Sequence, residues 1–197
     1  SGRAHVLGNA DALVTVEEFV DLQCPACAAS AQYTAPALKP FIDAGKVRII
    51  TYHLPLPFHE QALDGAMFAE CASDQRPGGF YAAHDALLLR QSEWTSASTL
   101  RGGLAKIADD LKLNGPQVMA CYDAGPYVNT ISHGVKEAMR RQVRATPTYF
   151  INNVEYRGAL QPAKVGQVLR DAITGDRAPA PAGPLWKKQL NDTLRNR

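Results

Sequence analysis

The feature that most constrains this chain is a Cys-Pro-Ala-Cys motif at the point where a strand pattern changes to a helix pattern. Residues 13–22 read LVTVEEFVDL, with apolar side chains at both parities, which predicts a central strand of a sheet. Cys24 and Cys27 follow directly, and a run of small residues with good helix propensity comes next. Pro25 suits the first turn of that helix, because an N–H there would lack an intrahelical partner. The motif is therefore predicted at the carboxyl end of a strand, where α/β proteins place their sites.

The remaining chain predicts two kinds of structure. A second strand over 47–52 completes a strand–helix–strand unit, which predicts a parallel strand pair. Pro36 is expected to kink or restart the helix between these strands. Residues 58–124 carry only helical patterns. The later elements are a helix over 127–143, a hairpin over 148–156 that turns at Asn152-Asn153, and a helix over 161–173.

This order predicts an α/β fold with an all-helical insertion. The domains expected from it are a sheet domain over 10–57 and 126–175, a helical insertion over 58–125, and a Pro/Ala-rich linker with a basic tail over 176–197.

Composition excludes several functions. The 21 Lys and Arg residues against 19 Asp and Glu leave a net charge of +2, which argues against nucleic-acid binding. No run approaches the ~18 apolar residues of a transmembrane helix. The five histidines lack metal-ligand spacing, and no nucleotide-binding motif occurs, so we expect neither metal nor nucleotide. A chain of 197 residues can bury its own core, and we expect a monomer.

A CxxC pair occurs in zinc knuckles, iron–sulfur sites and redox dithiols, and its placement favours the last of these. A thiol at a helix N-terminus lies near unpaired N–H groups, so the pKa of Cys24 should fall below the ~8.5 of an ordinary thiol. Cys24 would then be an exposed nucleophile, and Cys27, one turn later and deeper, could resolve a mixed disulfide. A zinc site would need two more ligands, and the other two cysteines are far apart in sequence.

The strand-CPAC-helix unit, the helical insertion and the Thr146-Pro147 dipeptide resemble the DsbA-like thiol:disulfide oxidoreductases of the thioredoxin superfamily, over about residues 10 to 175. The resemblance implies a thioredoxin fold, βαβ…αββα, with the insertion between its halves. It implies a cis peptide bond before Pro147 and a substrate peptide that pairs with the backbone of Thr146. Pro25 and Ala26 are expected to lie on the same substrate-binding surface.

The resemblance also assigns a role to Glu18, six residues before Cys24, as a buried acid beneath the site. Glu18 has the same parity as Val16 and Val20, so it should point into a packed face of the sheet. Burial would raise the pKa of its carboxyl and suit a proton shuttle for Cys27. The alternative is a residue at the strand edge that faces water.

Two departures from the family pattern favour a weaker oxidant. The dipeptide between the cysteines is Pro25-Ala26 and not Pro-His, so no imidazole stabilises the Cys24 thiolate. Thr146 replaces the Val found in strong oxidants.

Cys71 and Cys121 both fall in the predicted insertion, either as two buried thiols or as a structural disulfide. An oxidising compartment favours the disulfide. It would close a loop of about 51 residues and contribute about 4 kcal/mol in the chain-entropy model.

The function predicted from these observations is the introduction of disulfides into exported proteins. The redox-active Cys24–Cys27 pair would need no bound cofactor. The expected partners are reduced or unfolded exported proteins and, by resemblance, a membrane quinone-linked reoxidase of the DsbB or vitamin K epoxide reductase type. We expect an extracytoplasmic location, in a bacterial periplasm or at the cell-envelope exterior. The sequence begins Ser1-Gly2 without Met, so a leader or anchor is expected outside it.

Two alternatives remain open at this stage. One is a disulfide reductase or isomerase on the same fold, although family isomerases carry a dimerisation domain for which this chain has no room. The other is a non-catalytic binding module whose CxxC is structural.

Overall fold

A five-stranded mixed sheet is the centre of the part of the chain that the computed structural model describes, residues 4–175. Its strands are β1 (His5–Gly8), β2 (Val14–Val20), β3 (Val47–His53), β4 (Thr148–Ile151) and β5 (Val154–Arg157), in the spatial order β1-β3-β2-β4-β5. β2 is central: it runs parallel to β3 and antiparallel to β4. The predicted parallel pair is confirmed. The predicted linker and basic tail over 176–197 lie outside the described residues.

Seven α-helices accompany the sheet within these described residues. They are α1 (Pro25–Asp43), α2 (Ala62–Ser73), α3 (Gly79–Leu89), α4 (Leu100–Asp110), α5 (Gly115–Ala124), α6 (Val128–Arg140) and α7 (Pro162–Thr174), with a short 3-10 helix over Gln91–Glu93. Helices α2 to α5 separate the β2–α1–β3 unit from α6–β4–β5–α7. The predicted fold class, an α/β thioredoxin fold with a helical insertion, is confirmed, whereas the exact domain boundaries stay a prediction. No helix of the described residues is long and apolar enough to cross a membrane.

Both faces of the sheet are covered by helices, which explains why β2 is apolar at both parities. On one face, Val14 and Val16 pack in a cluster with residues of α1 and α7. On the opposite face, Phe19 packs against Ala138 of α6 and against Val143. Strands that are covered on both faces lose the simple alternation of apolar and polar residues.

Helix α1 continues through Pro36 and Pro40 as a single element, so the helix does not restart at Pro36, and the other expectation, a kink, stays a prediction. Each proline removes one main-chain hydrogen bond from a helix. The buried side of α1 nevertheless extends past Pro36, from Thr34 to Leu38. Thr34 also exchanges hydrogen bonds with the backbone of Leu160, from its Oγ1 to the carbonyl at 2.9 Å and from the Leu160 N–H at 2.8 Å. Tertiary packing thus holds the helix together where the local sequence favours a break.

No sequence pattern predicted β1, which pairs antiparallel with β3 at one edge of the sheet. The strand has four residues and is largely exposed, with Val6 at 53% and Leu7 at 39%. A short edge strand buries too little to produce a periodic pattern.

The hairpin over β4 and β5 is confirmed and turns at Asn152 and Asn153. These residues have φ values of 46° and 69°, in the left-handed region. Two consecutive positive φ angles characterise the type I′ turn, and Asn tolerates them better than other residues with a side chain.

Helix α6 lies very close to β3 at Gly134, and this contact generates a stability prediction. A Cβ atom at Gly134 would lie 2.3 Å from the backbone oxygen of His53, so a side chain there requires the backbone to move. We expect Gly134→Ala to lower the free energy of unfolding by about 1–3 kcal/mol. Gly102 is exposed in the first turn of α4, and a Cβ atom there would have no atom within 4 Å. Gly102→Ala should raise stability by about 0.5–1 kcal/mol through helix propensity. Urea unfolding of both variants measures this pair, and equal effects would contradict the close contact.

Candidate active site

Cys24 is the N-cap residue of α1, four residues after the end of β2. Its N–H donates to the backbone oxygen of Asp21 at 3.1 Å, which forms a tight turn between strand and helix. The carbonyl of Cys24 accepts from the N–H groups of Cys27 at 3.0 Å and Ala28 at 3.1 Å, and Pro25 occupies the first turn. We refer to residues 21–24 as the redox turn. The local sequence folds in this way because Pro25 has a φ angle suited to helix initiation and no N–H to satisfy.

Cys24 and Cys27 are unpaired thiols whose pKa values are shifted in opposite directions. The pKa of Cys24 is lowered to about 5. A hydrogen bond from the Cys27 thiol is the main cause, and burial acts in the opposite direction. The backbone N–H groups of Ala26 and Cys27 lower the pKa further, as expected at a helix N-terminus. The sequence prediction of a lowered pKa for Cys24 is confirmed.

Cys27 is fully buried, and this burial raises the pKa of its thiol well above the ordinary value, with the neighbouring Cys24 as the second cause. Cys24 is itself only 7% exposed, so the expectation that it is an exposed nucleophile is wrong. Pro25 and Ala26 between them are exposed. The pair therefore consists of a thiolate near the surface and a neutral thiol in the core, as an attacking and a resolving cysteine require.

The Thr146–Pro147 peptide bond is cis, and it lies directly against the first cysteine. Cys24 Sγ lies 3.5 Å from the Thr146 carbonyl oxygen, to which it can donate only while the thiol is protonated. The Thr146 hydroxyl is buried and has no hydrogen-bond partner of normal geometry, although it is close enough to Cys24 to lower the thiol pKa. The Pro147 carbonyl accepts from the Gly158 N–H at 2.8 Å, which fixes this loop to the end of β5.

Glu18 lies in β2. Its side chain is 12% exposed and is surrounded by polar groups. The Tyr149 hydroxyl donates to Glu18 Oε1 at 3.1 Å, and the Thr51 hydroxyl donates to Oε2 at 3.3 Å. His84 Nε2 lies 3.9 Å from the same carboxylate. Tyr149 also contacts the Ser30 hydroxyl, three residues beyond Cys27 on α1. Hydrogen bonds thus join Glu18 through Tyr149 to Ser30 on the helix that carries the second cysteine.

Three further histidine and acid side chains form a buried group that the sequence did not single out. Glu70 accepts from His5 Nε2 and His53 Nε2, each at 3.0 Å. Burial raises the pKa of Glu70, but these two hydrogen bonds outweigh it, so the pKa is about 2. This group joins β1 and β3 to α2. Among residues 4–175, no set of three or more His, Cys, Asp or Glu side chains is arranged to hold a metal.

Asp21 is the site residue that sequence reasoning missed most clearly. Its buried carboxylate accepts from the Gln23 N–H at 2.8 Å and the Leu56 N–H at 2.8 Å, and its Oδ2 lies 2.7 Å from His59 Nδ1. The carboxylate thereby joins the redox turn to the loop after β3. The signal available in sequence was an acid at the end of an apolar strand, three residues before Cys24.

Cys71 of α2 and Cys121 of α5 form a disulfide, with a Cα–Cα distance of 5.8 Å. Cys71 is fully buried in the core of the insertion, beside Phe68 and Leu104. The four cysteines therefore form two separate pairs, the Cys71–Cys121 disulfide of the insertion and the two thiols of Cys24 and Cys27.

A mixed sheet with a CxxC pair at the start of its first helix, opposite a cis-proline loop, defines a thioredoxin-fold protein with a redox-type dithiol. The thioredoxin family model matches residues 1–171 of this chain. The chain belongs to the thioredoxin family, and within its superfamily it is a DsbA-like member.

Relatives and solved structures agree with this assignment. The Disulfide bond formation protein D of Bacillus subtilis is 30% identical over 158 residues, which cover 75% of this chain and 67% of that protein. The crystal structure of alpha-DsbA1 from Wolbachia pipientis has a TM-score of 0.77 at 20% identity, covering 89% of this chain and 93% of that one.

A second group of relatives consists of longer proteins. The Na(+)/H(+) antiporter NhaA 1 of Salinispora arenicola is 33% identical over 177 residues, which cover 89% of this chain. The chain spans about a quarter of the length of the antiporters that it matches, 26% in this case. A domain similar to this chain is therefore part of larger proteins in some organisms.

The low pKa of Cys24 predicts how the stability of the reduced protein depends on pH. A thiol with a pKa of about 5 when folded and ~8.5 when unfolded contributes stability that is fully present above ~8.5 and is lost as pH falls towards 5. The raised pKa of Cys27 acts only above this window. We therefore expect the stability of the reduced protein, relative to a Cys24→Ser variant, to rise between pH 5 and pH 8. Urea unfolding at several pH values measures the difference, and a constant difference would contradict the thiolate.

Proposed function

We propose that this chain is a thiol:disulfide oxidoreductase that introduces disulfides into exported proteins through Cys24 and Cys27. The observation that carries the proposal is the pair of opposite pKa shifts beside the cis-proline loop. A thiolate that is stable in the reduced protein favours the reduced form, and a disulfide whose reduced form is stabilised is a better oxidant. The same asymmetry disfavours a purely structural CxxC, because a structural pair needs no stabilised thiolate.

The exchange proceeds in two steps. A substrate thiolate attacks Cys24 Sγ, the new substrate–Cys24 bond forms, and the Cys24–Cys27 bond breaks with Cys27 leaving as a thiolate that takes up a proton. The second substrate thiolate then attacks the substrate sulfur of this mixed disulfide, and Cys24 leaves as the stabilised thiolate. The substrate loses two electrons and gains a disulfide, and this chain gains the two electrons as its dithiol.

Glu18 is the proposed source of the proton for Cys27. The raised pKa of Cys27 means that its thiolate is unstable when it leaves, so a nearby acid accelerates the step. The contacts from Glu18 to Tyr149 and from Tyr149 to Ser30 supply a hydrogen-bonded connection in that direction. A water-facing Glu18, the alternative reading, is not supported by a side chain that is 12% exposed.

The substrate peptide is proposed to lie in an extended form across the exposed Pro25-Ala26 segment and to pair with the backbone at Thr146. The Thr146 carbonyl is 3.5 Å from Cys24 Sγ, so a peptide bound covalently at this sulfur passes within reach of that backbone. Pro147 keeps the loop close to the sulfur and contributes no N–H of its own.

An extracytoplasmic location, in a bacterial periplasm or at the cell-envelope exterior, completes the proposal. The Cys71–Cys121 disulfide supports it, because structural disulfides persist mainly in oxidising compartments. The redox-active Cys24–Cys27 pair needs no bound cofactor. Each turnover leaves it reduced, so a reoxidase is required, and we propose a membrane quinone-linked enzyme of the DsbB or vitamin K epoxide reductase type.

Disulfide formation in a reduced, unfolded model protein with two cysteines tests this function directly. We expect the oxidised chain to form the model disulfide, and Cys24→Ser to show only the uncatalysed background. A Cys71→Ala/Cys121→Ala variant should retain the rate, provided that it remains folded, because both steps of the exchange take place at Cys24 and Cys27. Faster reduction of a model disulfide by the reduced chain than oxidation of a dithiol by the oxidised chain would favour the reductase alternative.

A comparison of Glu18→Gln with Glu17→Gln tests the proton shuttle. Glu17 is adjacent in sequence but on the opposite face of β2, where it pairs with Arg141 at 2.6 Å. We expect Glu18→Gln to slow substrate oxidation by about tenfold, with a smaller deficit at low pH where solvent supplies the proton. Glu17→Gln should leave the rate unchanged, and equal rates in the two variants would exclude a role for Glu18 in catalysis.

A further inference from the structure

The side chain of Gln91 in the helical insertion forms hydrogen bonds to the backbone of the redox turn. Its amide nitrogen donates to the carbonyl oxygens of Leu22 and Cys24, both at 2.9 Å. A primary amide has two N–H groups, so both are used on the redox turn. Within residues 4–175, no backbone N–H of a turn, loop or helix cap donates to the Leu22 carbonyl, which accepts from Gln91.

Gln91 is held in place by its own surroundings. Its backbone oxygen accepts from the Thr95 N–H at 3.0 Å and the Thr95 hydroxyl at 2.8 Å. Trp94 is fully buried, and its indole N–H donates to the Leu87 carbonyl at 2.9 Å. The 3-10 turn also lies directly on α4, since a Cβ atom on Gly103 would be 2.1 Å from the Glu93 carbonyl oxygen. A turn packed this tightly cannot move without disturbing the core of the insertion.

A second set of contacts from the insertion holds the side chain of Gln23 in the same turn. Gln23 Nε2 donates to Gln61 Oε1 at 3.1 Å and to the Thr95 carbonyl at 3.4 Å. Its Oε1 accepts from the Gln61 N–H at 2.7 Å. The insertion thus binds two carbonyl oxygens and the Gln23 side chain of the redox turn. The sulfur of Cys24 faces the cis-proline loop.

We propose that Gln91 is a positioning residue through which the helical insertion sets the reactivity of Cys24. Two physical effects of the Gln91 amide both stabilise the Cys24 thiolate. The amide fixes the turn so that the N–H groups of Ala26 and Cys27 point at the sulfur, and its N–H dipoles offset the negative ends of two carbonyls close to the thiolate. Loss of the amide should therefore destabilise the thiolate and make the disulfide a weaker oxidant. This proposal concerns the dithiol itself and does not depend on the direction of exchange in the cell.

Replacement of the amide by a side chain of similar length without N–H donors is the direct test. In Gln91→Met we expect the Cys24 pKa, followed by thiolate absorbance of the reduced protein, to rise by about 0.5 to 1. The equilibrium constant for oxidation of glutathione by the disulfide should fall about threefold to tenfold, and tenfold corresponds to about 30 mV.

Gln117→Met is the matched control, because Gln117 is exposed on α5 of the same insertion and no hydrogen bond joins its side chain to the redox turn. It should change neither quantity. If Gln91→Met does not fold, Gln91→Asn retains an amide that is one methylene too short to reach both carbonyls, and it should shift both quantities in the same direction.

A folded Gln91 variant whose thiol pKa and glutathione equilibrium match those of the unchanged chain would overturn the proposal, even if its unfolding midpoint is lower. Such a result would leave Gln91 a purely structural contact. Failure of the unchanged chain to oxidise the model protein would instead contradict the proposed oxidase function, and the effect of Gln91 on the thiol would stand separately.

Discussion

The hydrogen bonds that stabilise the Cys24 thiolate at the start of α1 are the interactions on which the chemistry of this chain depends. The backbone N–H groups of Ala26 and Cys27 in the first helical turn lower the pKa of the sulfur, and the thiol of Cys27 contributes a further donor from within the same turn. A negative charge on Cys24 is therefore favoured before any substrate arrives. Because β2 is the central strand, the sheet, the cis-proline loop and the insertion all reach this one turn.

The insertion is part of the site as well as a cover for it. Apolar residues of the insertion pack in one cluster with Cys27, and this burial keeps the thiol of Cys27 neutral. The disulfide between α2 and α5 holds the insertion together as a unit, and Trp94 fills its centre. Gln91 projects from this rigid unit onto the redox turn. The insertion thus provides the low-dielectric environment of Cys27 and holds the backbone of the turn that carries Cys24.

Local signals explain what could be predicted from the sequence. The strand before the motif, the helix after it and the Asn152-Asn153 hairpin all depend on residues close together in the chain. Asp21 and Gln91 were not predicted, because their partners are distant: Asp21 bonds to residues 35 and 38 positions away, and Gln91 to residues 67 and 69 positions away. At Pro36 the local sequence favoured a restart of the helix, but the packing of residues on both sides of the proline keeps α1 continuous.

The sequence by itself determined where the first cysteine lies, since a thiol at a strand-to-helix junction followed by Pro25 lies at a helix N-terminus in any fold that forms those two elements. It also determined the class of fold, through the order of strands and helices. Only the tertiary structure decided the properties of Cys27 and Glu18, because burial and hydrogen-bond partners depend on which distant segments pack against them. The pKa of Cys27 is raised by a core that the insertion completes, and a pattern of neighbouring residues contains no information about that core.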